Sequence, residues 1–86
     1  MHYVYLLKSR VDGRTYVGQT GDLRRRFEEH NAGKNFSTAY RRPFDLIYYE
    51  AYRDPLDARE RELALKSHAA AMMHLKRWVG RSLETL

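Results

Sequence analysis

The sequence has no cysteine, only two prolines and a single tryptophan among its 86 residues. Without cysteine, neither a disulfide framework nor a thiolate zinc site can staple the fold. The same lack suits a reducing cytoplasm, which is the location expected here. No charged-then-apolar leader follows Met1. No apolar run reaches the ~18 residues that a membrane-spanning helix needs, so no membrane partner is expected. A glycine-rich phosphate loop, a zinc signature and a nucleophile elbow are also missing. Internal repeats and long low-complexity tracts are absent as well.

What remains is a chain long enough for one domain with a modest core and no second domain. Hydrophobic residues make up 43% of it, which favours a packed globule over disorder. Lys and Arg total 16 against 11 Asp and Glu, a formal charge of +5. An excess of that size attracts polyanions by counterion release and long-range steering. Seven tyrosines add aromatic surface and hydroxyl chemistry, although most aromatics in a small mixed domain belong to its core.

The coarse pattern predicts an α+β fold, a three-stranded antiparallel sheet flanked by helices in the order β-β-α-β-α-α. Residues 2 to 8 alternate Tyr3, Tyr5 and Leu7 with Val4 and Leu6, a strand apolar on both faces and therefore covered on both. Asp12-Gly13 is a turn signal leading to Thr15-Tyr16-Val17, so the two strands form an antiparallel hairpin ending at Gly18. Thr20 or Asp22 caps a helix reaching about Asn31, with Gly33 as its stop. A polar, basic loop follows from 31 to 43, then a third strand from Phe44 to Tyr52. Asp54-Pro55 starts a helix that runs to about Lys66 or Ser67. A last helix places Ala71, Leu75, Trp78 and Val79 on one apolar face. The domain is expected to span 1–80, with 81–86 as a frayed tail.

Two segments carry polar residues next to apolar stripes. In the first helix Leu23 and Phe27 face inward, while Arg26 and His30 form an i,i+4 pair beside them. An arginine there can grip a phosphate with two parallel hydrogen bonds, which a lysine cannot. His30, taken alone, is explained as a favourable cation at a helix C-terminus. In the second helix Leu56/Leu63 and Ala58/Leu65 read as two apolar stripes. Arg59, Glu62 and Lys66 fall in the arc between them, and Asp57, Glu60 and Arg61 on the solvent side. A carboxylate between core-facing stripes is costly unless it is paired or metal-bound. Geometry alone favours the plain reading, an i,i+4 ion pair from Glu62 to Lys66.

The order Tyr3-Val4-Tyr5, Tyr16-Val17-Gly18, Arg26, His30 and Glu62 resembles the GIY-YIG nuclease superfamily. It is closest to the small single-domain bacterial members and the N-terminal endonuclease domain of excision-repair nucleases. Tyr5 and Tyr16 match the tyrosines of the two motifs, 16 − 5 = 11 positions apart. Arg26 and His30 match the helical arginine and the following histidine, and Glu62 lies in an Arg-Glu-x-x-Leu-Lys segment like that of the small members. Arg41-Arg42-Pro43 and Leu46-Ile47-Tyr48-Tyr49-Glu50-Ala51 also look like that subgroup. The similarity runs from about Tyr3 to Lys66. Tyr3 stands where the first motif has glycine, and Val4 and Val17 replace isoleucines.

The resemblance implies a divalent-metal endonuclease that cuts DNA to 5′-phosphate and 3′-hydroxyl ends, in repair, recombination or processing. Glu62 would ligate Mg2+ or Mn2+, keeping company with waters and substrate oxygens. Arg26 would neutralise charge on the phosphate, and Tyr5 would act as general base, assisted by Tyr16 or His30. Lys34, Arg41, Arg42 and Lys66 would contact a single-stranded, branched or duplex substrate. Two other readings stay open: a nucleic-acid-binding module without turnover, and a subunit activated by a larger repair complex. A face bearing Trp78 could serve a protein partner or a homodimer.

Overall fold

The computed structural model describes residues 1–84. The turn residues at Asp12-Gly13 divide two strands, β1 (His2–Ser9) and β2 (Thr15–Thr20). Gly13 has φ +72°, the left-handed conformation that glycine adopts at least cost, and its N–H donates to the Ser9 carbonyl at 3.0 Å. The third strand, β3 (Phe44–Tyr52), pairs antiparallel with β1 on the other side, giving the sheet order β2-β1-β3. The register places Tyr5 between Gly18 of β2 and Tyr49 of β3. Between Leu6 and Leu7 the β3 pairing slips, leaving Ile47 as the extra residue of a bulge.

Being central, β1 is covered on both faces, as its two-sided apolar pattern predicts. Val4 and Leu6 pack with Val17, Ala58, Leu65, Leu75 and Val79 on one side. Tyr5 and Leu7 pack with Phe44, and with the partly buried Tyr16, Leu23 and Phe27, on the other. The second layer is α1 (Leu23–Asn31), held at its start by Asp22, whose carboxylate accepts from the Arg25 N–H at 3.1 Å. The first layer is α2 (Pro55–Ser67), capped by Asp54 with Pro55 at its first position, followed by α3 (Ala69–Trp78). A short 3₁₀ turn, Ala39–Arg41, interrupts the basic loop.

Four expectations are corrected. Residues 81–84 are not frayed: Gly80–Glu84 form α4, whose Leu83 packs against the core and accepts from Lys8 Nζ through its carbonyl at 2.8 Å. Residues 85 and 86 of the expected tail lie outside the described residues. Trp78 leaves the apolar face of α3 and is 83% exposed, because the chain turns out of α3 at Val79 and Leu83 covers the core instead. In α2 only the Ala58/Leu65 stripe is buried; Leu56 and Leu63 face outward. That stripe is flanked on one side by Glu62 and on the other by Arg61. Arg61 is therefore not on a free solvent face but grips Glu50 through Nε and Nη2, both at 3.0 Å at closest.

Candidate active site

Tyr5, Tyr16, His30, Arg26, Glu62 and Lys66 come together where α1 and α2 meet the β1–β2 hairpin. The hairpin fixes the two tyrosines: Tyr5 opposite Gly18 and Tyr16 opposite Leu7, with ring centroids 6.4 Å apart. A side chain on Gly18 would overlap the Tyr5 phenol, so glycine here makes room for the ring.

His30 is fully buried and meets both rings edge-on, its centroid 5.8 Å from Tyr5 and 5.1 Å from Tyr16. Its Nε2 is 2.8 Å from the Tyr5 oxygen and its Nδ1 2.9 Å from Thr38 Oγ1. Thr38 Oγ1 in turn points its hydrogen at the Asn35 carbonyl, 3.5 Å away. Arg26, which can only donate, also hydrogen-bonds the Tyr5 oxygen, so the phenolic hydrogen is left for His30 Nε2 and Nδ1–H for Thr38 Oγ1. Burial pushes the imidazole down to about 4, and the positive Arg26 adds to this, so His30 is neutral at physiological pH. It is an acceptor in a relay, not the helix-end cation that its position in α1 suggests.

Burial pushes the Tyr5 phenol up to about 12, while Arg26, as a hydrogen-bonding and positively charged neighbour, works the other way. Tyr16 and Glu62 add to the rise, which places both negative-going groups close to the same oxygen. Tyr5 is therefore protonated at rest. With its hydrogen directed to His30 and one lone pair accepting from Arg26, Tyr5 keeps one lone pair to accept from a water. Arg26 is held by Glu29, Nη1 to Oε1 at 3.2 Å, a partner that the arginine-rich stretch conceals in the sequence. Asn31 locks the end of α1 to β3, accepting from the Phe44 N–H at 2.7 Å and donating to its carbonyl at 3.1 Å.

The Glu62 side chain is only 15% exposed, and Lys66 Nζ reaches its Oε2 at 3.2 Å. The same ammonium lies 5.7 Å from the centre of the Tyr16 ring, a cation–π contact that ties the pair to the hairpin. Among the described residues no group of three His, Cys, Asp or Glu side chains could cage a metal. A single carboxylate paired to Lys66 fits magnesium or manganese, which keep waters and take phosphate oxygens, and does not fit an all-protein zinc cage.

The expected nucleic-acid contacts divide. Lys66 stands in the site beside Glu62 and Tyr16, whereas Lys34 is an exposed residue of the loop after α1. Arg41 is held inside the molecule: Nε donates to Asp12 at 3.0 Å, the guanidinium lies 5.7 Å from the Phe44 ring centre, and its carbonyl accepts from Ser9 Oγ at 2.6 Å. It clamps the hairpin turn to the 3₁₀ turn, so its guanidinium is engaged within the molecule by Asp12, the Thr15 carbonyl and the Phe44 ring. Arg42 donates through Nη1 to the Ala39 carbonyl at 2.7 Å and fills the space beside Gly33, yet stays exposed. Thr38 and Glu29 were missed by sequence reading. Nothing in a polar loop marks one hydroxyl as buried, and Glu29 looks like an ordinary surface charge.

Residues 1–76 match the GIY-YIG catalytic domain. A UPF0213 protein of Bacillus pumilus (strain SAFR-032) is 40% identical over 67 residues, covering 77% of this chain and 67% of that protein. A UPF0213 protein of Staphylococcus aureus (strain Mu3) is 38% identical over 68 residues, 78% of this chain and 82% of that one. The solution NMR structure of a UPF0213 protein from Bacillus halodurans superposes with TM-score 0.59 and 32% identity, covering 98% of this chain and 93% of that one.

Proposed function

Because the chain belongs to the GIY-YIG catalytic-domain family, a nuclease family, we propose that it is a divalent-metal-dependent endonuclease acting on DNA. The observation that carries this reading is the meeting of Tyr5, Tyr16, Arg26 and His30 with the carboxylate of Glu62, contributed by a later helix. A binding module needs the arginine; it has no use for the relay or the glutamate. In this reading Arg26 takes the non-bridging phosphate oxygens and offsets the charge gathering on them. Tyr5 accepts a hydrogen bond from the attacking water and aligns it in line with the scissile bond. As the water oxygen bonds to phosphorus, its proton passes to the Tyr5 oxygen while the Tyr5 proton moves to His30 Nε2, a transfer driven by the negative charge that the bound phosphate brings, since the resting site holds His30 neutral. The phosphorus–O3′ bond breaks, giving a 5′-phosphate and a 3′-oxygen that is protonated from solvent. A magnesium or manganese ion held by Glu62 would supply Lewis-acid charge beside the leaving oxygen. Tyr16 contributes a hydroxyl that makes no hydrogen bond among the described residues, available to substrate or water. The setting that suits these features is cytoplasmic DNA repair, recombination or processing.

One observation favours a second reading. Lys66 already balances Glu62, which removes the main electrostatic objection to phosphate binding without a metal. A module that only binds nucleic acid would use that balance. Incubating the protein with labelled single-stranded, branched and duplex DNA, with magnesium, with manganese and with EDTA, separates the two. Metal-dependent products with 5′-phosphate ends support the nuclease; salt-sensitive binding without products under either metal supports the module.

A further inference from the structure

The sheet face that carries Tyr5 also carries Tyr3, two residues earlier on β1, where the first motif of the family has glycine. Tyr3 does not join the core. It meets Tyr49 of β3 edge-on, ring centroids 5.9 Å apart, and Tyr49 is 52% exposed. These rings line an open cleft of about 590 Å³ between α1 and β3, together with Leu23, Phe27 and Leu46, and with the exposed Asp22 and Arg24 at its rim. That volume lies in the range of small-ligand sites. Leu23 and Phe27 face the sheet, and helix geometry puts Arg26 on one flank of that pair and Arg24 on the other. The proposed catalytic site and the cleft are therefore neighbours across one turn of α1.

The chemistry of the cleft selects its occupant. Two aromatic rings invite stacking, and neither phenol hydroxyl makes a hydrogen bond among the described residues. The Arg24 guanidinium likewise has no ion pair there, whereas Arg25 and Arg26 both reach Glu29. The Asp22 carboxylate at the same rim is engaged in capping α1. An apolar protein segment would cover the rings but strand the hydroxyls and the guanidinium. A nucleobase offers a π-face, edge donors and acceptors, and an attached phosphate, and so answers all three.

Resting on the nuclease reading above, we propose that this cleft receives an unpaired nucleobase of the strand being cut, with Arg24 on an adjoining phosphate. A fully stacked duplex cannot offer a base to it. The favoured substrate is then DNA that is single-stranded, branched or frayed beside the scissile bond. The rival occupant is a second copy of the chain, added along the outer edge of β3, which among the described residues pairs only with β1.

The test uses the full chain in EDTA, titrated with single-stranded oligothymidine and, separately, with a blunt duplex. Binding is followed by fluorescence anisotropy and by backbone amide shifts. Oligothymidine is expected to shift the amides of Tyr3, Arg24, Leu46 and Tyr49. Tyr49→Ala should weaken its binding about tenfold, the scale of one lost base–aromatic stack, and leave duplex binding unchanged. Tyr49→Phe keeps the ring and should bind as wild type, which controls for folding. Unshifted cleft amides, or equal single-strand affinity in Tyr49→Ala, would overturn the proposal. So would a fall in sedimentation mass on Tyr49→Ala with oligonucleotide affinity intact, which would assign the cleft to a second copy. Cleavage with magnesium is read separately: cleft shifts without cleavage would sink the nuclease reading alone, and cleavage by Tyr49→Ala at wild-type KM would sink the cleft proposal alone.

Discussion

Gly18 stands directly opposite Tyr5 in the β1–β2 ladder, and a methyl group on its Cα would collide with the phenol's oxygen and Cζ. The second motif's glycine is thus a space left for the first motif's tyrosine. Gly18→Ala should displace the ring from His30 and destabilise the fold by about 1–3 kcal/mol, the usual cost of overpacking a core. Denaturant unfolding should register that loss. Cleavage by the fraction still folded should fall by far more than the stability change explains.

His30 makes stability depend on pH in a defined window. Its folded value is held down to about 4, whereas an imidazole in the unfolded chain titrates near 6.5. Between those values the unfolded chain takes up a proton that the folded one refuses. The stabilisation is complete above about 6.5 and is lost as pH falls toward 4, a change of about 3 kcal/mol. His30→Gln should be less stable at pH 7.5 yet show a flatter profile from pH 6.5 to 4.5 in chemical denaturation. Parallel profiles would mean that His30 is not the titrating group.

Lys66 is the resident counter-ion of Glu62 and competes with any metal placed there. Lys66→Met should therefore tighten manganese binding about fivefold, on the scale of one short-range charge–charge interaction in water. Titration calorimetry without DNA reads this directly. Weaker manganese binding in the variant would show that Lys66 organises the site instead of screening it.

Arg61 belongs to a different cluster. Burial opposes the ionisation of Glu50, but hydrogen bonds from Arg61, Tyr52 and Tyr48 outweigh it and hold its carboxyl below the usual range. Arg61→Met should cost about 2 kcal/mol, less than breaking a fully buried pair because the guanidinium is partly solvated. Cleavage per folded molecule should not change. A selective loss of activity would place Arg61 in the site.

Much of the architecture was legible because it depends on short-range rules. The Asp12-Gly13 turn, the Asp22 and Asp54 caps and the two-faced pattern of β1 each specify local structure without knowledge of the rest. Glu62 was legible as a polar residue beside a buried stripe, but the second stripe was an illusion. Leu56 and Leu63 share a face that no other element covers among the described residues, and periodicity cannot reveal what a helix is packed against. The same limit hid Arg61, whose partner Glu50 is on another element. Arg41 looked like a phosphate ligand because nothing local shows that Asp12 and Phe44 would claim its guanidinium. Thr38 was invisible for the same reason: its importance lies in reaching His30 across a loop.

The measurement that bears most directly on the nuclease reading is cleavage by Glu62→Gln beside wild type, on end-labelled single-stranded and branched DNA, with magnesium, manganese or EDTA. Wild type should cut only with a metal and leave 5′-phosphate ends. The variant, which keeps the shape of the side chain but loses its charge, should be slower by about 100-fold or more. It should also fail to bind manganese while unfolding at a similar denaturant concentration. Equal cleavage by the two proteins, or no metal-dependent product from wild type on any of these substrates, would contradict it.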